Sequence, residues 1–163
     1  MELTVRKVTV ADWEQIKFIY EAGIQTKTAT FETQAPPTFE QWFGNANREC
    51  TLVVLEDLQI LGWCKLTPVS AREVYAGVGE VSVYVHPQAK GKGLGNILLQ
   101  QLIQKSEEQG LWTLEAKIFV DNKASLQLHK KNGFREVGIR ERIAKRDGQW
   151  KDTHLLERRS NVI

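Results

Sequence analysis

Cysteine is scarce: Cys50 and Cys64 are the only two in 163 residues. They form no metal-ligand spacing, and a small disulfide scaffold would need more of them. No apolar run reaches the roughly 20 residues that cross a bilayer, and the charged N-terminus has no signal-peptide pattern. Charge of one sign is also lacking. Twenty-two basic and 20 acidic side chains leave a net charge of +2, too little to argue for a nucleic-acid partner. Internal repeats and low-complexity segments are absent. These gaps exclude a disulfide-stapled secreted module, a membrane span and a metal centre built on cysteine. The expectation that remains is one reduced, soluble, cytoplasmic domain over residues 1–163, long enough to bury a substantial core.

What is present centres on GEVSVYVHPQAKGKGLGNILLQQL, Gly79 to Leu102. Val81, Val83 and Val85 alternate with Glu80, Ser82 and Tyr84, which predicts a strand with three valines on one face and polar groups on the other. His86-Pro87 ends it, because proline gives no N–H to a ladder. Leu94, Ile97, Leu98 and Leu102 then recur at helical spacing, and Gly110 supplies a stop. Gly91, Gly93 and Gly95, interleaved with Lys90 and Lys92, lie between strand and helix. Glycines there let backbone N–H groups converge on a ligand at a helix N-terminus, where partial positive charge favours phosphate. The spacing of a mononucleotide P-loop is missing. A dinucleotide fingerprint is weakened by Asn96 in place of its third glycine, although Glu115 could stand in for its acidic residue.

Elsewhere, residues 2–8 read as a strand, and Thr9 with Asp12 offers cap chemistry for a helix whose Trp13, Ile16, Tyr20 and Gly23 share a face. From Gln25 to Thr38 the chain loosens, with Pro36-Pro37 unable to continue a helix. That stretch is either a plain connection or a substrate-side lid. A short helix over Phe39–Phe43 follows, capped by Thr38. Residues 51–56 and 60–69 read as a hairpin turning at Asp57 to Gln59, and 68–79 as a loop. Leu111–Val120 reads as a strand, Asn122–Asn132 as a helix stopped at Gly133, and 134–143 with 150–158 as a hairpin across Asp147-Gly148. The order β, α, α, β, β, β, α, β, α, β, β predicts a mixed α/β fold with helices flanking one sheet.

QAKGKG, Gln88 to Gly93, resembles the Gln/Arg-x-x-Gly-x-Gly/Ala loop of the GNAT superfamily of acyl-CoA-dependent N-acetyltransferases. DNKASLQLHKKNGF, Asp121 to Phe134, is similar to that family's Asn-x-x-Ala/Ser-x-x-Leu-Tyr/His-x-x-x-Gly-Phe. On a helix, Asn122, Ser125 and His129 stand three and then four residues apart and form one stripe that a single ligand could touch. EVSVYV, His129 in place of the commoner tyrosine, and TATFET (residues 28–33) narrow the resemblance to the phosphinothricin and methionine sulfoximine acetyltransferase branch. The resemblance implies a central twisted, mostly antiparallel sheet, acetyl-CoA as co-substrate with no metal, a small amino-acid-like amine as acceptor, and a homodimer whose loops complete each other's site. It also implies a coenzyme site at Val83, Tyr84, Val85, Gln88, Lys90, Gly91, Lys92, Gly93, Leu94, Gly95, Asn122 and Ser125, with backbone N–H groups near Ser82 and Val83 polarising the thioester carbonyl. Phe31, Glu32, Arg72, Tyr75 and Glu80 would meet the acceptor.

Acetylating an amine with a thioester needs a neutral amine, donors for the oxyanion, and a proton for the departing thiolate. Glu80, beside the phosphate turn, is the candidate base; its plainer alternative is a carboxylate paired with a neighbouring cation. His129 is the candidate acid, against the ordinary role of a hydrogen-bonded helix histidine. Arg72 offers a bidentate fork for an acceptor anion. Nothing near either cysteine lowers its pKa, so direct attack in a ternary complex is expected over an acetyl-enzyme. An acetyltransferase of protein N-termini or lysines, and a non-catalytic acyl-CoA-binding module, stay open as alternatives. An exposed tryptophan among Trp42, Trp112 and Trp150 would support a subunit contact.

Overall fold

The computed structural model describes residues 2–163. Its strands are β1 (Leu3–Lys7), β2 (Leu52–Glu56), β3 (Gln59–Pro68), β4 (Val78–Val85), β5 (Thr113–Phe119), β6 (Arg135–Arg146) and β7 (Gln149–Arg159). The helices are α1 (Trp13–Gln25), α2 (Phe39–Phe43), α3 (Leu94–Glu108) and α4 (Lys123–Lys131). One seven-stranded sheet runs in the order β1-β2-β3-β4-β5-β7-β6. Every neighbouring pair is antiparallel except β4 and β5, which are parallel because α3 carries the chain back between them. The expected mixed, mostly antiparallel sheet with flanking helices is what forms.

The two faces of the sheet are covered differently. Against one face α3 packs Leu98, Leu99 and Leu102, all fully buried, onto Cys64, Leu66, Leu114 and Ala116. Each such leucine contributes roughly 1.5–3 kcal/mol relative to exposure. Against the other face α1 and α2 close over an aromatic cluster. Trp63 and Tyr84 stack with centroids 4.6 Å apart, Trp42 meets Trp63 edge-on at 5.0 Å, and Tyr20 meets Tyr84 edge-on at 5.2 Å. The β4 face read from alternation as polar is therefore polar only at Glu80 and Ser82. Tyr84 belongs to this second core, and a side chain added at Gly23 would meet its ring at 2.5 Å.

Both cysteines are buried free thiols. Burial pushes Cys50 up to about 12 and Cys64 higher still, as expected of core fillers. The Thr38 hydroxyl accepts the Gln41 N–H at 3.2 Å and starts α2 as its sequence predicts. One strand runs further than expected. β6 continues past Ile143 to Arg146, because a bulge between Arg140 and Ala144 lets pairing with β7 resume. Of the three tryptophans named above, Trp42 is buried and Trp150 is 56% exposed.

Candidate active site

β4 pairs with β3 over seven residues, but with β5 only at Val78, Gly79 and Glu80. Beyond Glu80 the two strands part, and a cavity of about 360 Å3 opens between Ser82 to Tyr84 and Lys117 to Phe119. The His86 N–H donates to the Leu61 carbonyl at 2.8 Å, and the Val69 N–H to the Val78 carbonyl at 3.3 Å. Even-numbered residues of β4 thus turn their backbone toward β3. Because direction alternates along a strand, Val83 and Val85 turn N–H and C=O into the split. The donor expected near Ser82 is spent on β3, and Val83 is the one left facing the cavity.

A second cavity, of about 390 Å3, continues from the split along Val85 to Lys90, Gly91 and Gly93, and it shares Val83, Tyr84, Asn122 and Ser125 with the first. Gly91 and Gly93 adopt φ of +82° and +77°, and a side chain on either would meet nothing within 4 Å. They satisfy the backbone and leave the space above it open. Gly93 caps α3 without a side chain, so the first-turn N–H groups stay free beside the cavity. Gly95 works differently: a Cβ there would sit 3.2 Å from Leu128 Cδ2, so this glycine sets how closely α3 meets α4.

The α4 stripe forms as its spacing predicts. Asn122 Oδ1 accepts the Ser125 N–H at 3.2 Å, its amide donates to the Thr28 carbonyl at 3.3 Å, and Ser125 Oγ lies 3.4 Å from His129 Nδ1. His129 is buried, and its Nδ1 stands 2.7 Å from the Ser125 carbonyl. A carbonyl only accepts, so Nδ1 carries the hydrogen and Nε2 holds the lone pair. Burial depresses the His129 pKa, partly countered by that carbonyl.

Glu80, Phe31, Val83, Tyr84, Asn122, Ser125 and His129 thus converge on the split. Glu80 has a partner: Lys117 Nζ lies 3.4 Å from its Oε1. Phe31 packs on Phe119 with centroids 4.6 Å apart, seating the 26–32 segment at the mouth. Other expected residues lie elsewhere. Gln88 and Lys92 line neither cavity, and the Gln88 N–H is taken by His86 Nδ1 at 3.1 Å. Arg72 rests over the Tyr75 ring at 5.4 Å, on a loop outside both cavities. Glu32 lines a third cavity, of about 370 Å3, with Tyr20, Trp42 and Lys65. Lys117, Phe119 and Thr153, which no sequence motif marks, line the first cavity, as does Arg140 at the start of the basic stretch Arg140 to Trp150. No group of three or more histidine, cysteine, aspartate or glutamate side chains that could hold a metal occurs among the described residues.

A family model described as "Acetyltransferase (GNAT) family" matches residues 14–134. An L-methionine sulfoximine/L-methionine sulfone acetyltransferase of Pseudomonas aeruginosa is 33% identical over 162 residues, covering 96% of this chain and 94% of the relative. The crystal structure of a GNAT superfamily phosphinothricin acetyltransferase from Sinorhizobium meliloti in complex with acetyl-CoA superposes with a TM-score of 0.86. The two chains are 28% identical, and the match covers 98% of this chain and 89% of that one. A ribosomal-protein-alanine N-acetyltransferase from Brucella melitensis superposes with a TM-score of 0.89 at 29% identity, covering 96% of this chain and 99% of that one.

Proposed function

The chain belongs to the acetyltransferase (GNAT) family, and we propose that it transfers acetyl from acetyl-CoA to the α-amine of a small acceptor of the phosphinothricin or methionine sulfoximine type. The observation that carries this reading is the split between β4 and β5, with Glu80 at its apex and free N–H groups along one wall.

In this reading the pantetheine arm lies against β4 as an added strand, paired with the backbone of Val83 and Val85. The pyrophosphate takes the open N–H groups from Gly91 to Gly95 at the head of α3. Lys90, which lines the same cavity, adds a positive charge there. The acceptor amine attacks the thioester carbonyl directly: a C–N bond forms, the C–S bond breaks, and coenzyme A leaves as thiolate. The Val83 N–H stabilises the negative charge that develops on the carbonyl oxygen. Glu80, directly or through water, takes the proton the amine sheds, and Lys117 holds its carboxylate in place beforehand. The buried thiols at Cys50 and Cys64 take no part.

His129 is reassigned. An acid would need a proton on Nε2, which burial opposes, so its Nε2 serves as an acceptor in the wall of the split, and the thiolate takes its proton from water. The exposed hairpin residues Val137, Ile139 and Trp150 support a homodimer formed through β6 and β7. In such a dimer the loop carrying Arg72 and Tyr75 is available to a second copy's cavity. No helix among the described residues is long and apolar enough to cross a membrane, and two free thiols suit a reducing cytoplasm.

The test is thiol release from acetyl-CoA across a panel of amines. Turnover with small amino acids that falls in Glu80→Gln, with coenzyme affinity retained, supports the reading. Turnover with peptides alone would favour the second reading, acetylation of protein N-termini, to which the likeness to the alanine N-acetyltransferase points.

A further inference from the structure

We propose that Arg140 grips an anionic group of the acceptor, and that Asp152 is a positioning residue acting through the β6 bulge. The inference rests on the acetyltransferase reading and assigns the residue that recognises the carboxylate or phosphinate of the amino-acid-like acceptor proposed there.

Register provides the first argument. Thr153 of β7 stands opposite Phe119 on one side and Arg140 on the other, so the three side chains emerge on one face of the sheet. All three line the catalytic cavity. Charge provides the second. Arg6, Arg135, Arg146 and Arg158 are each held by a carboxylate; among the described residues Arg48, Arg72, Arg140 and Arg142 have neither an ion pair nor a side-chain hydrogen bond, and of these four Arg140 alone lines the cavity. The cavity's other cation, Lys117, is already paired with Glu80. The cavity therefore offers a carboxylate for an ammonium group and, across the split, an unspent planar fork for two oxygens.

Backbone strain provides the third. Pairing steps from Arg140↔Thr153 to Ala144↔Lys151, leaving residues 141–143 opposite Asp152 alone. Asp152 Oδ1 accepts the Arg142 N–H at 2.7 Å, and Arg142 is held at φ +46°, a conformation that costs a non-glycine residue energy. Such bulges re-aim side chains beside active sites. Here the bulge brings Ile143 into the cavity beside Arg140. Arg72, the residue the sequence suggests for this task, lies outside the cavity of its own chain.

The experiment compares kcat/KM for methionine sulfoximine and for its carboxamide, which keeps the amine and loses the anion. The wild-type protein should prefer the acid by roughly ten- to a hundredfold, the size of a charge-assisted pair. Arg140→Gln should bring the ratio near one, through KM for the acceptor, with KM for acetyl-CoA unchanged. If Arg140→Gln loses coenzyme binding, Arg140→Lys carries the test, keeping that binding and losing most of the preference. Asp152→Ala should shrink the ratio, while Asp152→Asn, which keeps an accepting oxygen, restores it. An active wild type whose ratio survives Arg140→Gln overturns the inference and leaves the acetyltransferase reading standing. A wild type that releases no thiol with methionine sulfoximine, phosphinothricin or the carboxamide overturns both.

Discussion

On the α3 and α4 side of the split, the polar groups facing the cavity come from the main chain: Val83 and Val85 along β4, then Gly91, Gly93 and the first turn of α3. On the side facing the 26–38 segment they come from side chains, Glu80, Lys117, Phe119, Thr153 and Arg140, supplied by four strands. A backbone site can hold one fixed ligand while the side chains around it change. A side-chain site is free to be retuned residue by residue. On the proposed function, coenzyme recognition resides in backbone conformation and acceptor choice in side chains.

Substitutions should divide along the same line. The largest effect is expected for Glu80→Gln, a drop of roughly 10²–10⁴ in kcat with KM for acetyl-CoA nearly unchanged, read from steady-state thiol release. Gly93→Val should do the reverse. A β-branched residue at φ +77° costs at least about 1–2 kcal/mol of strain, and its branches enter the space left for phosphate, so KM for acetyl-CoA should rise several-fold while the acceptor ratio holds. Equal loss of both affinities in either variant would erase the division.

His129 sharpens the boundary between the two sides through pH. Its folded pKa lies below the unfolded value, so above the usual histidine pKa, near 6.5, both states are neutral and no penalty arises. As pH falls through that value the unfolded chain binds a proton that the folded chain refuses, and stability declines. His129→Gln should flatten the fall in Tm between about pH 7 and pH 5; an unchanged slope would contradict the buried neutral imidazole. The smallest effect is expected at Gly95→Ala. Its methyl would press on Leu128 at 3.2 Å, a cost that the roughly 1 kcal/mol of helix propensity gained over glycine offsets, so Tm should move by no more than a few degrees, with both KM values retained.

The backbone half was the more legible of the two. The Gly91-Gly93 spacing, the Val81-Val83-Val85 alternation and the Asn122-Ser125-His129 stripe are local patterns that produced the geometry they imply, whereas Gly95 lies inside α3 against Leu128. The acceptor half depends on which strands neighbour one another, and β5-β7-β6 is not chain order. Nothing in the sequence therefore puts Lys117 beside Glu80 or Arg140 in line with Phe119. The β6 bulge also hides the faces of residues 141–143, because three residues there stand against one on β7 and no regular alternation assigns them. Glu32 adjoins Phe31 in sequence yet lines a different cavity, with Tyr20 and Lys65. Tyr84 reads as polar until the tryptophans packed against it are known.

Amide hydrogen exchange followed residue by residue, with and without coenzyme A, reaches the central claim most directly. If the coenzyme pairs with β4 in the split, the amides of Val83 and Val85 exchange readily in the free protein and become protected on binding, together with those from Gly91 to Gly95, while the Ser82 and Tyr84 amides, already bonded to β3, hardly change. Protection that leaves Val83 and Val85 untouched and appears elsewhere on the chain would contradict the account.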